Sequence, residues 1–239
     1  ATGWRRLTGN EGGLLLGWRA AEREVARGGS GTLAASIVSS PALAAIAERF
    51  GLPYRDTLTG FKWVSRVENL AFGYEEALGY LVNPASIRDK DGISASTEFL
   101  TMAGELAAAG RTVADRLREA DEVFGAFASG QVSVRVTELA AIGRIMARIR
   151  DARPASIGEI AVAQVDDFAN GFGDFGPSDI LRFWLDGGSR VIVRPSGTEP
   201  KVKVYIDAVA TDGTAEQRRA AALASVAALE AGARELLAE

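Results

Sequence analysis

Between Thr32 and Glu75 short apolar β-type runs alternate with helical pattern, and that alternation most restricts what this chain can fold into. The runs are Thr32 to Ser39, Leu52 to Leu58 and Leu70 to Glu75. Leu14, Leu15, Trp18, Ala21 and Val25 fall near helical spacing, so residues 11–27 read as a helix closed by Gly28 and Gly29. Ser40 and Pro41 suit an N-cap and first helical position for a helix running to Phe50, with Gly51 as its stop. Residues 94–109, ended by Gly110, and Val113 to Val123 continue the helical pattern. Strands separated in this way pair through crossovers rather than hairpins. The expectation for residues 1–130 is therefore an α/β layer around a mostly parallel sheet.

The organisation changes near Gly125 to Gly130. Gln131 to Thr137 alternates as a strand, Glu138 to Arg150 reads as a helix, and Ala155 to Ile157 and Ile160 to Val165 read as extended. A glycine-rich loop over 169–178 leads to three further strand patterns, Ile180 to Leu185, Arg190 to Arg194 and Lys201 to Val209. Thr214 and Gln217 have capping-box spacing ahead of an alanine-rich helix. Residues 131–239 thus predict a small α+β domain, an antiparallel sheet with helices on one face.

What the chain lacks excludes whole classes of chemistry. It contains no histidine and no cysteine, so no Ser-His-Asp triad, Cys-His pair, disulfide or thiolate metal site can form within it. The formal charge is −4, and residues 1–130 (14 basic, 16 acidic) and 131–239 (13 basic, 15 acidic) each net −2. No basic domain is hidden in that average, which argues against a nucleic-acid partner. No apolar run suits a membrane span and no signal-peptide pattern opens the chain, so a cytoplasmic setting without a membrane partner is expected. The first residue, Ala1, stands just ahead of Trp4, Leu7 and Leu14 to Leu16, a pattern that reads as the interior of a longer protein.

The most specific string is Arg-Val-Ile-Val-Arg-Pro-Ser-Gly-Thr-Glu-Pro-Lys-Val-Lys-Val-Tyr, residues 190–205. Two β-type runs flank a tight turn in which Pro195 fixes one angle and Gly197 is free to take positive φ, so amides can converge on an anion. Arg194 offers a planar fork for two phosphate oxygens and Lys203 a movable point charge. As turn chemistry alone, the same residues also describe an ordinary surface hairpin.

The longer strings resemble a family. Residues 194–205 look like the phosphate-binding loop in the last domain of the α-D-phosphohexomutases, which include the phosphoglucomutases and phosphomannomutases. Thr59-Gly-Phe-Lys-Trp63 followed by Phe72-Gly-Tyr-Glu-Glu-Ala-Leu-Gly-Tyr80 resembles the sugar-recognition segment of that family's third domain, and Arg88-Asp-Lys-Asp-Gly92 the motif after it. Leu7-Thr-Gly-Asn-Glu11 is similar to the entry into that domain, with Asn10 where Asp is usual. The resemblance implies four domains around one active site, of which this chain holds the third (1–130) and fourth (131–239). It implies a phosphoserine on the first domain and Mg²⁺ on an Asp-x-Asp-x-Asp loop of the second, so no metal ligand is expected here. Asp89-Lys-Asp91 ends in Gly92 and does not supply such a loop. The implied parent reaction interconverts hexose 1-phosphate and hexose 6-phosphate through a hexose 1,6-bisphosphate, with the phosphorylated sugar and the missing N-terminal domains as partners. The isolated chain would then lack turnover. The rival reading is a stand-alone, non-catalytic sugar-phosphate binding module.

Carried over residue by residue, the resemblance places Glu75 on the sugar, where one carboxylate can accept from two vicinal hydroxyls. The family's Glu-x-Ser-Gly has Ala77 in place of serine, which leaves the sugar open among glucose, mannose and pentose. Glu76 is expected to be structural or to support the contacting residues from behind. Lys90 corresponds to a lysine near the reacting oxygen, where burial would favour proton transfer, while Asp91 also suits a helix cap. Arg194, Ser196, Gly197, Thr198 and Lys203 form the implied phosphate clamp, with the Glu199 carboxylate expected to turn away, onto Lys201 or a nearby amide. Lys62 and Trp63 suit either a site wall or ordinary packing, and Trp4, Trp18 and Trp184 are expected in the core.

Overall fold

The computed structural model describes residues 4–197 and 199–238. The chain divides between Phe124 and Gly125 into two compact units.

The first unit opens with α1 (Gly9–Ala26), capped by a full capping box between Thr8 and Glu11. Arg5 completes the cap with two hydrogen bonds to the Glu11 carboxylate at 2.9 and 2.8 Å. Strands β1 (Thr32–Ser36), β2 (Tyr54–Thr57) and β3 (Leu70–Glu75) are parallel, and β4 (Gly79–Leu81) turns back antiparallel to β3, giving the order β2-β1-β3-β4. Between them run α2 (Ala42–Phe50), ended by Gly51 in the left-handed region, and a single turn, α3 (Phe61–Val64). The unit closes with α4 (Gly92–Ala108) and α5 (Val113–Val123). The mostly parallel sheet agrees with the sequence pattern; α3 and β4 are additions to it.

Glycines on α1 explain how that helix lies on the sheet. A Cβ on Gly13 would come within 2.3 Å of the Tyr74 ring, one on Gly17 within 2.4 Å of Leu43, and one on Gly12 within 2.4 Å of the Tyr80 hydroxyl. Each interior glycine costs a helix roughly 1 kcal/mol relative to alanine, and the strong N-cap offsets part of that cost. In return Leu15, Trp18 and Ala21 are buried, Trp18 meeting the Phe124 ring edge-on at 4.8 Å. Trp4 departs from the expectation: it is fully exposed, outside any core.

The second unit is a six-stranded sheet in the order β5-β10-β9-β8-β7-β6, antiparallel throughout. Its strands are β5 (Ala126–Arg135), β6 (Ser156–Ile157), β7 (Ile160–Asp167), β8 (Leu181–Leu185), β9 (Arg190–Pro195) and β10 (Lys201–Ala210). The first begins at Ala126, ahead of the Gln131 start that the alternation suggested. Helices α6 (Leu139–Asp151) and α7 (Ala215–Leu237) pack on one face, α7 starting from the expected Thr214–Gln217 capping box. Every second strand residue enters that core, among them Val132, Phe183, Val191, Val193, Val204 and Ile206, against Ile145, Met146, Val226 and Leu229 of the helices. The alternate residues form the opposite, polar face. Trp184 belongs to that face rather than to the core, half-buried, with its indole N–H donating to Asp166 at 2.8 Å.

Candidate functional site

In the first unit β1 lies between β2 and β3, the chain passing from β1 to β2 on one side and then back across to β3 on the other, so the carboxyl ends of β1 and β3 flank the kind of switch point at which open α/β sheets bind ligands. The side chains gathered there are polar. Glu75 ends β3, and its Oε1 accepts a 2.8 Å hydrogen bond from the Gly60 amide. Gly60 can aim that amide because it sits at φ 114°, a backbone state that side chains disfavour. Two segments singled out in the sequence, 59–63 and 72–80, are thus joined at one carboxylate. Its other oxygen has no partner among the described residues. Glu76 leans onto β1: its amide donates to Ser39 Oγ at 3.0 Å, and the Ser36 and Ser39 hydroxyls reach its carboxylate at 3.4 Å. Asn10 ties the start of α1 to the same place, accepting from the Ser40 amide at 2.9 Å and the Tyr74 hydroxyl at 3.2 Å. Burial pushes the nearby Tyr80 hydroxyl up to about 12, so it remains a neutral donor to the Gly9 carbonyl at 3.0 Å.

Lys90 occupies the segment between β4 and α4. Its ammonium lies 5.5 Å from the Phe61 ring centre and 3.4 Å from Asp89. The side chain is 56% exposed, so it stands in solvent and lacks the burial invoked for it from sequence. Asp91 is committed to capping α4, accepting from the Ile93 and Ser94 amides at 3.0 and 3.1 Å. The Ser94 hydroxyl first, then those amides, hold its carboxyl below the usual range. Lys62 and Trp63 lie on the surface, the ammonium 5.2 Å from its neighbour's ring. Asp89 and Asp91 have other hydrogen-bonding duties, and among the described residues no group of three or more carboxylates could hold a metal ion.

In the second unit the register of β9 against β10 sets Arg194 directly opposite Lys203, and β5 adds Ser133 beside Lys203. These three share the polar face of the sheet, beside the 195–200 loop. Like charges facing each other across strands are destabilising unless something compensates them. Among the described residues neither cation has a carboxylate partner: Arg194 Nε donates to the Pro195 carbonyl at 3.3 Å, and the Lys203 ammonium lies 5.9 Å from the Tyr205 ring. Ser133 accepts from Gln131 Nε2 at 3.0 Å, which leaves its hydroxyl hydrogen available to donate.

The loop differs from the nest of converging amides that its composition suggested. The Ser196 amide donates to the Lys201 carbonyl at 2.8 Å, adding one more link to the hairpin, and Gly197 is not among the glycines with positive φ. Thr198 lies outside the described residues. Glu199 does turn away, bound by Arg135 at 2.9 Å and by Lys201. Lys201 first, and then Arg135, hold its carboxyl below the ordinary glutamate value. Ser36, Ser39, Ser133 and Arg135 were not legible as site neighbours, because only tertiary pairing brings them there.

Comparison with known proteins follows the same division. Residues 8–124 match the family profile described as phosphoglucomutase/phosphomannomutase, alpha/beta/alpha domain III, and residues 132–225 match the phosphoglucomutase/phosphomannomutase C-terminal domain. A Haemophilus influenzae protein named "Probable phosphomannomutase" is 49% identical over 209 residues, covering 87% of this chain and 42% of that protein. A mouse glucose 1,6-bisphosphate synthase is 30% identical over 242 residues, covering 89% of this chain and 39% of that protein. The open form of the Paramecium phosphoglucomutase parafusin shares the fold, with a TM-score of 0.69 at 19% identity over 95% of this chain and 42% of that one. The chain thus spans about two fifths of the length of the relatives it matches.

Proposed function

The chain belongs to the phosphoglucomutase/phosphomannomutase family, and from that premise we propose that it is the sugar- and phosphate-gripping part of a sugar-phosphate mutase. The observation that carries this reading is the uncompensated pair of cations, Arg194 and Lys203, facing each other across β9 and β10 with no carboxylate partner among the described residues. A dianionic phosphate removes their repulsion and accepts from the Arg194 fork. In this reading Ser133, level with Lys203 in the sheet, and Ser196, next in the loop after Pro195, add neutral hydroxyl donors. Thr198 completes the clamp in this reading. Glu75, held by the Gly60 amide on one oxygen, uses the other to accept from sugar hydroxyls, and the exposed Lys90 meets the phosphoryl charge.

The parent enzyme would interconvert hexose 1-phosphate and hexose 6-phosphate through the 1,6-bisphosphate. The phosphoserine and Mg²⁺ would come from other domains of the parent enzyme. The chain alone therefore binds the substrate without turning it over. Robust steady-state mutase turnover by the contaminant-free chain would remove that assignment. The binding claim has its own test, titration of glucose 6-phosphate followed by calorimetry. Charge-assisted hydrogen bonds are worth about 2 kcal/mol, so Arg194→Ala is expected to weaken binding about thirtyfold. Unchanged affinity would mean that the loop is not the phosphate site.

A further inference from the structure

Glu199 poses a problem for a phosphate clamp, since it brings a negative charge into the loop that would grip an anion. Resting on the reading of 194–203 as that clamp, we propose that Arg135 is a positioning residue which, with Lys201, holds the Glu199 carboxylate away from the phosphate and neutral to it. Arg135 on β5 and Lys201 on β10 are register partners, so they too would repel each other across the strands. Glu199 lies between them, Oε1 on Arg135 and Oε2 on Lys201. Two residues further along β10, on the same face, the next row holds Ser133, Lys203 and Arg194 with no carboxylate among the described residues. Adjacent rows on one face are about 7 Å apart. One row is thus a closed triplet of two cations and an anion, and the next is an open pair of cations.

Stability does not explain the triplet. The Arg135 side chain is 72% exposed and that of Glu199 40% exposed, and ion pairs this wet contribute little to folding. Their effect is on where the charge sits. Without Arg135, Glu199 keeps one partner and gains freedom to swing toward the clamp. At about 7 Å its charge still acts on a bound anion in dilute buffer, where the screening length is roughly 10 Å or more.

The test titrates inorganic phosphate and glucose 6-phosphate into the intact chain at low ionic strength, comparing Arg135→Ala, Glu199→Gln, the double variant and Arg194→Ala. Arg135→Ala is expected to weaken both ligands about fivefold, an effect that shrinks toward unity in 0.5 M salt. Glu199→Gln is expected to bind as well as the parent chain or better, and the double variant to return within about twofold of it. That rescue separates positioning from direct contact, because removing Glu199 cannot restore a lost ligand. A double variant as weak as Arg135→Ala would overturn the proposal by making Arg135 a ligand, and unchanged binding in Arg135→Ala would overturn it by making the contact inert. Arg194→Ala keeps the two readings apart. If it too leaves affinity unchanged, the clamp itself is wrong; if it alone weakens binding, only the role of Arg135 is wrong.

Discussion

Gly9→Ala is expected to destabilise the first unit by about 3 kcal/mol and to displace Glu75 in whatever remains folded. A Cβ at Gly9 would lie 1.8 Å from the Glu76 carbonyl oxygen, 2.7 Å from its carbon and 3.2 Å from the Leu78 amide nitrogen. No rotamer relieves a clash with backbone, so one of two segments must move. The start of α1 is held by the Thr8–Glu11 capping box and by Arg5. The 76–78 turn is already strained, with Leu78 at φ 65°, a region costly for a leucine. Overpacking costs 1–3 kcal/mol where side chains can yield and more where they cannot, and better helix propensity returns only about 1 kcal/mol. Gly104→Ala is the matched control. That glycine lies exposed within α4 with nothing within 4 Å of its added Cβ, so the variant should gain about 0.5–1 kcal/mol. Urea unfolding measures both. Amide spectra should show the Gly60 resonance shifting in Gly9→Ala and not in Gly104→Ala, because Gly60 donates to Glu75. Equal stability of the two variants would mean that α1 does not approach the turn as closely as described.

How much of this was legible beforehand depends on the range of the interaction. The three parallel strands of the first unit and the caps at Thr214 and Gly51 were readable, because periodicity and capping are local. The turn α3 and strand β4 were not, since four and three residues are too few to show a period. The glycines of α1 carried no readable meaning until Tyr74, Tyr80 and Leu43 were placed against them. Glu75, Arg194 and Lys203 stood out by motif, yet the hydrogen bond from Gly60 and the pairing of Arg135 with Lys201 exist only through tertiary register. Charges inside the strands of the second unit were the least readable of all. Arg182 interrupts an apolar run and Arg190 opens one, and nothing local says that Asp166 and Asp207 will lie across from them.

The last of these pairs yields the other large effect, an expected loss of about 4 kcal/mol in Asp207→Ala. Arg190 and Asp207 are register partners on β9 and β10, with side chains 2% and 4% exposed. The Arg190 Nε–H donates to Asp207 at 2.9 Å, and the Ser129 hydroxyl donates to the other carboxylate oxygen at 2.7 Å. Removing the carboxylate takes the charged partner from a buried guanidinium, and breaking one side of a buried pair costs roughly 3–5 kcal/mol. Replacing both partners avoids that penalty, so Arg190→Leu with Asp207→Leu should lose less than Asp207→Ala alone. Urea unfolding of the single and double variants decides it, and a loss below about 1 kcal/mol in Asp207→Ala would mean that Arg190 reaches water once released. The pair also bears on the site. It lies on the same face as Lys203 and Arg194 and pins β9 to β10 in the register that sets those two cations opposite each other. Phosphate affinity should therefore fall in Asp207→Ala even at temperatures where it stays folded, and recover in the double variant.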